Sequence, residues 1–175
     1  MTTNEIPAVK RPWRPAPDRD VRLESIRRAV QGVLALEGVR VSHKRALLNV
    51  LIWNLTGIDG DKWGIRYRSE GVLSDNVETI QHEHVLERKK LIDRLLADPT
   101  DYESILRGAV ACLVTADEHA CLRRVDRSLE GWDRYRAAGI IVYDMATSSR
   151  VPLEAEFDSQ ASQGSHVAKA DPPPA

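Results

Sequence analysis

The sequence predicts an α+β fold, predominantly helical, with an N-terminal helical hairpin packed with a small two- or three-stranded sheet. Three observations predict it. Two segments before residue 57 are rich in apolar residues at helical spacing. Short apolar runs bounded by turn residues recur near 65–68, 79–85, 109–114 and 140–143. A T-x-x-E box, Thr115 with Glu118, marks a helix start directly after one of those runs. With 5% aromatics in 175 residues, the core must be mostly Leu, Ile, Val and Ala.

The elements follow in order. Residues 1–18 carry Pro7, Pro12, Pro15 and Pro17, which fix φ and remove backbone donors, so a disordered basic arm is expected there. From Asp20, Leu23, Ile26, Val30, Val33 and Leu34 follow i, i+3, i+4 spacing, and Gly38 supplies a stop. Ser42 reads as the N-cap of a second helix over 43–56. That helix is apolar nearly all round, a pattern that predicts burial, and Gly57, Asp59 and Gly60 end it.

The segment 79–85, TIQHEHV, reads as a short strand or as the opening of a helix over about 77–97, whose apolar residues include Leu91, Ile92, Leu95 and Leu96 before Pro99. A short helix is expected over Tyr102–Arg107, broken by Gly108, then a buried strand at 109–114. A last short helix runs from Trp132 to Ala138, stopped by Gly139 before the apolar 140–143. The ordered domain is thus expected at 19–147, with a disordered tail at 148–175.

Charge and composition narrow the function. A net charge of −1 excludes a uniformly basic nucleic-acid binder. The sum hides an asymmetry: residues 1–68 hold 13 Lys/Arg against 7 Asp/Glu, and residues 69–175 hold 12 against 19. A basic front half can face nucleic acid or simply be a solvated surface. The residues to contact phosphates there are Arg27, Arg28, Lys44, Arg45, Arg66 and Arg68. The segments KWGIRYR (62–68) and GWDRYRAAGI (131–140) mix aromatic and basic residues. They suit base stacking or, for Trp132 and Tyr135 at i, i+3, core anchoring with Arg134 and Arg136 in solvent. No apolar run approaches a membrane span, and the first residues lack a signal-peptide core. Two cysteines, Cys112 and Cys121, are too few for a disulfide framework, which points to a cytoplasmic setting. No phosphate-cradling glycine loop and no GxSxG motif occurs.

The residues with chemistry to offer are His82, His84 and His119, with Glu83 and Glu118; His43 and His166 stand apart. In a strand, His82 and His84 share one face and Glu83 takes the other. In a helix the two imidazoles diverge. Glu118 and His119 lie in the first turn after Thr115, where Glu118 already serves as the capping-box partner. A strand and a helix carrying these groups can place a divalent cation on one side and a general base on the other. Cys112, His119 and Cys121 with His82 or His84 form an alternative zinc set.

The residues Glu83-His84-Val85 and Leu113-Val114-Thr115-Ala116-Asp117-Glu118-His119 resemble the paired motifs of the HNH (ββα-metal) endonucleases over residues 79–122. The resemblance implies a metal-dependent nuclease acting on DNA or RNA. In it His84 is the general base that activates water. His119 is a metal ligand, with Glu83 or His82 as the other, and the metal is Mg²⁺, Mn²⁺ or Zn²⁺. Between the two motifs, KKLIDRLLADPTDYESILRGA reads as two helices. The alternative is a non-catalytic module that binds nucleic acid or another protein through the basic N-terminal helices.

Overall fold

The computed structural model describes residues 12–74 and 79–152. Helix α1 (Arg19–Ala35) and helix α2 (Val41–Thr56) form the expected hairpin, turning through Gly38 at φ +68°. Then follow β1 (Tyr67–Ser69), α3 (Glu70–Leu73), β2 (Ile80–His84), α4 (Arg88–Ala97) and α5 (Tyr102–Arg107). The chain continues through β3 (Ala111–Thr115), α6 (Ala116–Leu122), α7 (Trp132–Ala137), β4 (Val142–Asp144) and β5 (Ser149–Arg150). The α-rich α+β class is as the sequence predicts.

The strands form one mixed sheet in the order β2-β3-β1-β4-β5. Only β1 and β3 run parallel, and β2 is an edge of the described sheet. The sheet is wider than the expected two or three strands because all four apolar runs contribute to it and β4 adds a hairpin with β5. Two-residue β5 carries no periodicity that a sequence pattern can register.

Helices cover both faces. On one, Val30 of α1, Leu48 and Ile52 of α2, and Leu91 and Leu95 of α4 make a fully buried cluster, with Leu106 of α5 beside it. Each such side chain contributes roughly 1.5–3 kcal/mol by leaving water. On the other face, Cys112 and Val114 of β3 pack with Leu122, Tyr135 and Val142. A smaller cluster of Ile65, Val72, Ala111 and Leu113 lies beside the first. Alternation along β3 therefore sends Ala111 and Leu113 one way and Cys112 and Val114 the other.

Several sequence expectations shift. Helix α2 begins at Val41, with Arg40 rather than Ser42 at its N-cap position. It is not buried all round: Leu48, Ile52 and Leu55 are inside, while Val41, Leu47, Val50 and Trp53 are exposed. Its apolar residues outnumber the positions its neighbours can cover. Contacts to the domain also extend to residues outside 19–147 at both ends. Upstream, Ala16 donates its N–H to Asp59 Oδ1 at 3.0 Å, and Arg19 and Arg66 lie over the Trp13 ring at 5.9 and 5.8 Å. Downstream, Val151 donates to the Val142 carbonyl at 2.8 Å. The rest of the expected arm (1–11) and tail (153–175), with His166, lies outside the described residues.

Candidate functional site

Segment 79–85 is strand and not helix, because its backbone pairs antiparallel with β3 from Ile80↔Thr115 to His84↔Ala111. Helix α6 follows β3 without a linker. Its start is the full capping box: Thr115 Oγ1 accepts from the Glu118 N–H at 3.2 Å, and Glu118 Oε2 accepts from the Thr115 N–H at 2.8 Å. Two antiparallel strands and a capped helix thus form a ββα unit. Helices α4 and α5 are inserted between its strands.

Alternation along β2 divides the candidate residues between two faces. His82 and His84 lie together on the side of α2. Their rings stack at 4.8 Å, and Trp53 stacks on His82 at 4.5 Å. Both Nε2 atoms converge on Thr56 Oγ1, at 3.2 Å from His82 and 3.1 Å from His84. The same hydroxyl lies 3.2 Å from the Ile52 carbonyl and 3.1 Å from that of Trp53. A hydroxyl has one proton and two lone pairs. All contacts are satisfied when Thr56 donates back to its own helix and accepts an Nε2–H from each imidazole. Both rings are then the Nε2–H tautomer, with Nδ1 carrying the basic lone pair. Burial, aided by Arg88 and Lys62, lowers His82 to about 4. Burial, His82 and Arg88 lower His84 to about 3. Both are neutral at pH 7.

Glu83 points to the opposite face. Its Oε2 lies 3.0 Å from His119 Nδ1 on α6, and its Oε1 accepts from Arg134 Nη2 on α7 at 3.1 Å. Arg134 is buried. The sequence suggested that Arg134 faces solvent beside Arg136; the structure instead turns it inward, where the Glu83 carboxylate compensates its charge. His119 Nδ1 is buried and has no aligned hydrogen bond despite its closeness to Glu83. Trp132 and Tyr135 are core anchors, packed edge-on at 5.2 Å.

Of the candidate metal ligands, the structure brings Glu83 to His119 and leaves His82 on the other face. His84, the candidate base, also lies on that other face. Glu118 is fully used: besides the cap, its Oε2 accepts from Ser69 Oγ at 2.5 Å. A Cβ at Gly71 would come within 2.7 Å of Glu118 Oε1, so a larger residue there would displace the capping carboxylate. The alternative zinc set is not assembled, since no three such side chains stand ready for a metal among the described residues. Cys112 is buried beside Tyr135, and burial pushes its thiol up.

Most of the expected phosphate contacts have an intramolecular partner, and Arg28 and Arg45 keep exposed side chains. Arg68 is 1% exposed, lies over the Trp63 ring and donates to the Trp63 carbonyl at 2.8 Å, so it has no surface to offer a polyanion. Arg66 makes a bidentate pair with Asp144 at 2.6 and 2.5 Å. Lys44 caps α1 through the Leu34 carbonyl, Arg45 pairs with Asp93, and Arg28 with Glu24. Arg27 has no ion pair among the described residues and lines a cleft beside α1. Thr56, Trp53 and Arg134 are the site residues that sequence reasoning missed. Arg134 lies 51 residues from its partner, and no local pattern joins them. No protein-family model matches the chain, and no curated protein or solved structure matches it either.

Proposed function

We propose that the chain is an HNH-like, metal-dependent nuclease that hydrolyses phosphodiester bonds in DNA or RNA. One observation carries the reading: the ββα unit sets the Glu83 carboxylate and the His119 imidazole 3.0 Å apart. The donor set suits a divalent cation. A carboxylate and an imidazole are both ligands for Mn²⁺ and Zn²⁺, and the carboxylate for Mg²⁺. His119 Nδ1 has no competing aligned hydrogen bond. Glu83 and His119 would hold the metal, which when bound supplies Lewis-acid stabilisation of a phosphoryl oxygen.

The division of the site across β2 is compatible with this chemistry. Displacement at phosphorus is in line, with attacking and leaving oxygens on opposite sides. Because β2 is an edge of the described sheet, a phosphodiester laid along it has Glu83 and His119 on one side and His84 on the other. Thr56 orients the His84 ring and keeps the Nδ1 lone pair free, so the neutral imidazole would serve as a weak base toward the attacking water. Arg134 fixes the Glu83 carboxylate and limits its negative charge.

Plasmid nicking with Mg²⁺, Mn²⁺ or Zn²⁺ and with chelator tests the reading. The expected result is metal-dependent nicking that falls by a factor of about 100 or more in Glu83→Gln, His119→Ala and His84→Ala. Undiminished nicking by His84→Ala removes His84 from the mechanism. Undiminished nicking by Glu83→Gln and His119→Ala removes the metal pair. No cleavage with any metal overturns the nuclease and leaves the non-catalytic module that binds nucleic acid or another protein.

A further inference from the structure

A cavity of about 300 Å³ opens between α1, the end of α2, the 57–66 loop and the start of β3. Its apolar lining comes from Leu23, Leu55, Ile58, Ile65 and Leu106, with Tyr67 among them. Four arginines line it, Arg19, Arg27, Arg66 and Arg107, against the single carboxylate of Asp59. Two of the four are neutralised: Arg19 pairs with Asp59, and Arg66 with Asp144. Arg27 and Arg107 have no ion pair among the described residues. The cleft therefore joins two surplus guanidiniums to an apolar floor.

That combination is selective. Like charges sharing one cleft repel each other unless an anion sits between them. Guanidinium forks match the oxygens of phosphate in bidentate fashion, which favours a phosphate over a single-point anion. The apolar floor gains only from a ligand that brings a hydrophobic or aromatic body. The cavity volume is at the lower end of small-molecule sites. A polymer strand would need a basic track continuing beyond the cleft. The neighbouring candidates do not supply one, since Arg28, Lys44 and Arg45 are each held by a protein partner.

We propose that this cleft binds a small phosphomonoester with an apolar or aromatic body, its phosphate held by Arg27 and Arg107. The site is separate from Glu83 and His119 and does not rest on the nuclease reading. Calorimetry of the full chain with AMP, adenosine and inorganic phosphate, in chelator, tests it without any metal. AMP is expected to bind more tightly than either adenosine or phosphate. Arg27→Gln and Arg107→Gln are each expected to weaken AMP by about tenfold, the worth of one charged hydrogen bond. Lys89→Gln, at an exposed position of α4, is expected to bind as the wild type does. The melting temperatures of both arginine variants should stay at the wild-type value, which separates lost binding from lost folding. No heat with millimolar AMP overturns the proposal, as does equal binding of adenosine and AMP, or wild-type affinity in both arginine variants. An oligonucleotide lacking terminal phosphates that outcompetes AMP also overturns it, and makes the cleft a strand-binding groove.

Discussion

The two faces of β2 handle polar side chains in opposite ways. On the α2 face, His82 and His84 are kept neutral, stacked under Trp53 and tied to one hydroxyl. On the α6 face, Glu83 is paired with Arg134, with His119 alongside. Both solutions avoid an unpaired buried charge, one by removing the charge and the other by matching it. The strand's period of two permits this: neighbours in sequence sit in different dielectric and electrostatic surroundings. A single sequence motif, HEH, therefore places its side chains in two different electrostatic surroundings.

Acid should break the comparison most strongly. In the unfolded chain both histidines take up protons below about pH 6.5. In the folded chain they resist until about 4 and about 3. Their contribution is thus complete above pH 6.5 and is lost as the pH falls toward 3. Each pH unit of separation is worth at most about 1.4 kcal/mol, and solvent screening of these partly exposed rings lowers that, so the total is several kcal/mol. Urea unfolding in chelator across pH 7 to 3 should show a steep loss for the wild type. The loss should be shallower in His82→Gln/His84→Gln, and equal slopes would mean that the rings are not held neutral.

On the other face, Arg134→Met leaves the Glu83 carboxylate facing His119 without its guanidinium. The expected cost is about 3 kcal/mol in urea unfolding at pH 7, and Glu83→Gln/Arg134→Met should recover part of it. If the double variant is no better than the single, the pair is not coupled. Thr56→Val removes the oxygen that accepts from both imidazoles. A cost of about 2 kcal/mol is expected. Nitrogen NMR of the wild-type imidazoles should show Nε2–H in both, and an Nδ1–H signal would contradict the shared-hydroxyl arrangement. The smallest effect is expected from Thr115→Ala, about 1 kcal/mol for the lost cap. That change should also broaden the His119 resonances relative to those of His84, because α6 alone positions His119.

What could be read from the sequence was local. The capping box at Thr115 and Glu118, the α1 periodicity and the His82/His84 alternation each depend on residues within four positions of one another, and each is found in the structure. The apolar content of α2 was legible but its burial was not, since that depends on how much surface α1 and α4 can cover. For the same reason Arg68 and Arg134 read as surface cations. Their burial is set by Trp63 and by Glu83, and Glu83 is brought near only by packing α7 on the sheet. The candidate residues were visible as letters, but their distribution between two faces followed only once strand was decided over helix.

The α4–α5 excursion between β2 and β3 has a kinetic consequence. An ordinary hairpin closes through a few residues, whereas β2 must wait for an intervening helical pair before it meets β3. Such non-local pairing slows assembly, even though lengthening a loop adds little to its equilibrium cost. Glu83 and His119 are therefore expected to meet after the helical layer, an order that φ-values measured at Leu95→Ala and Val114→Ala would check. A chain caught partway would already have much of its helix content while still lacking the contact between Glu83 and His119.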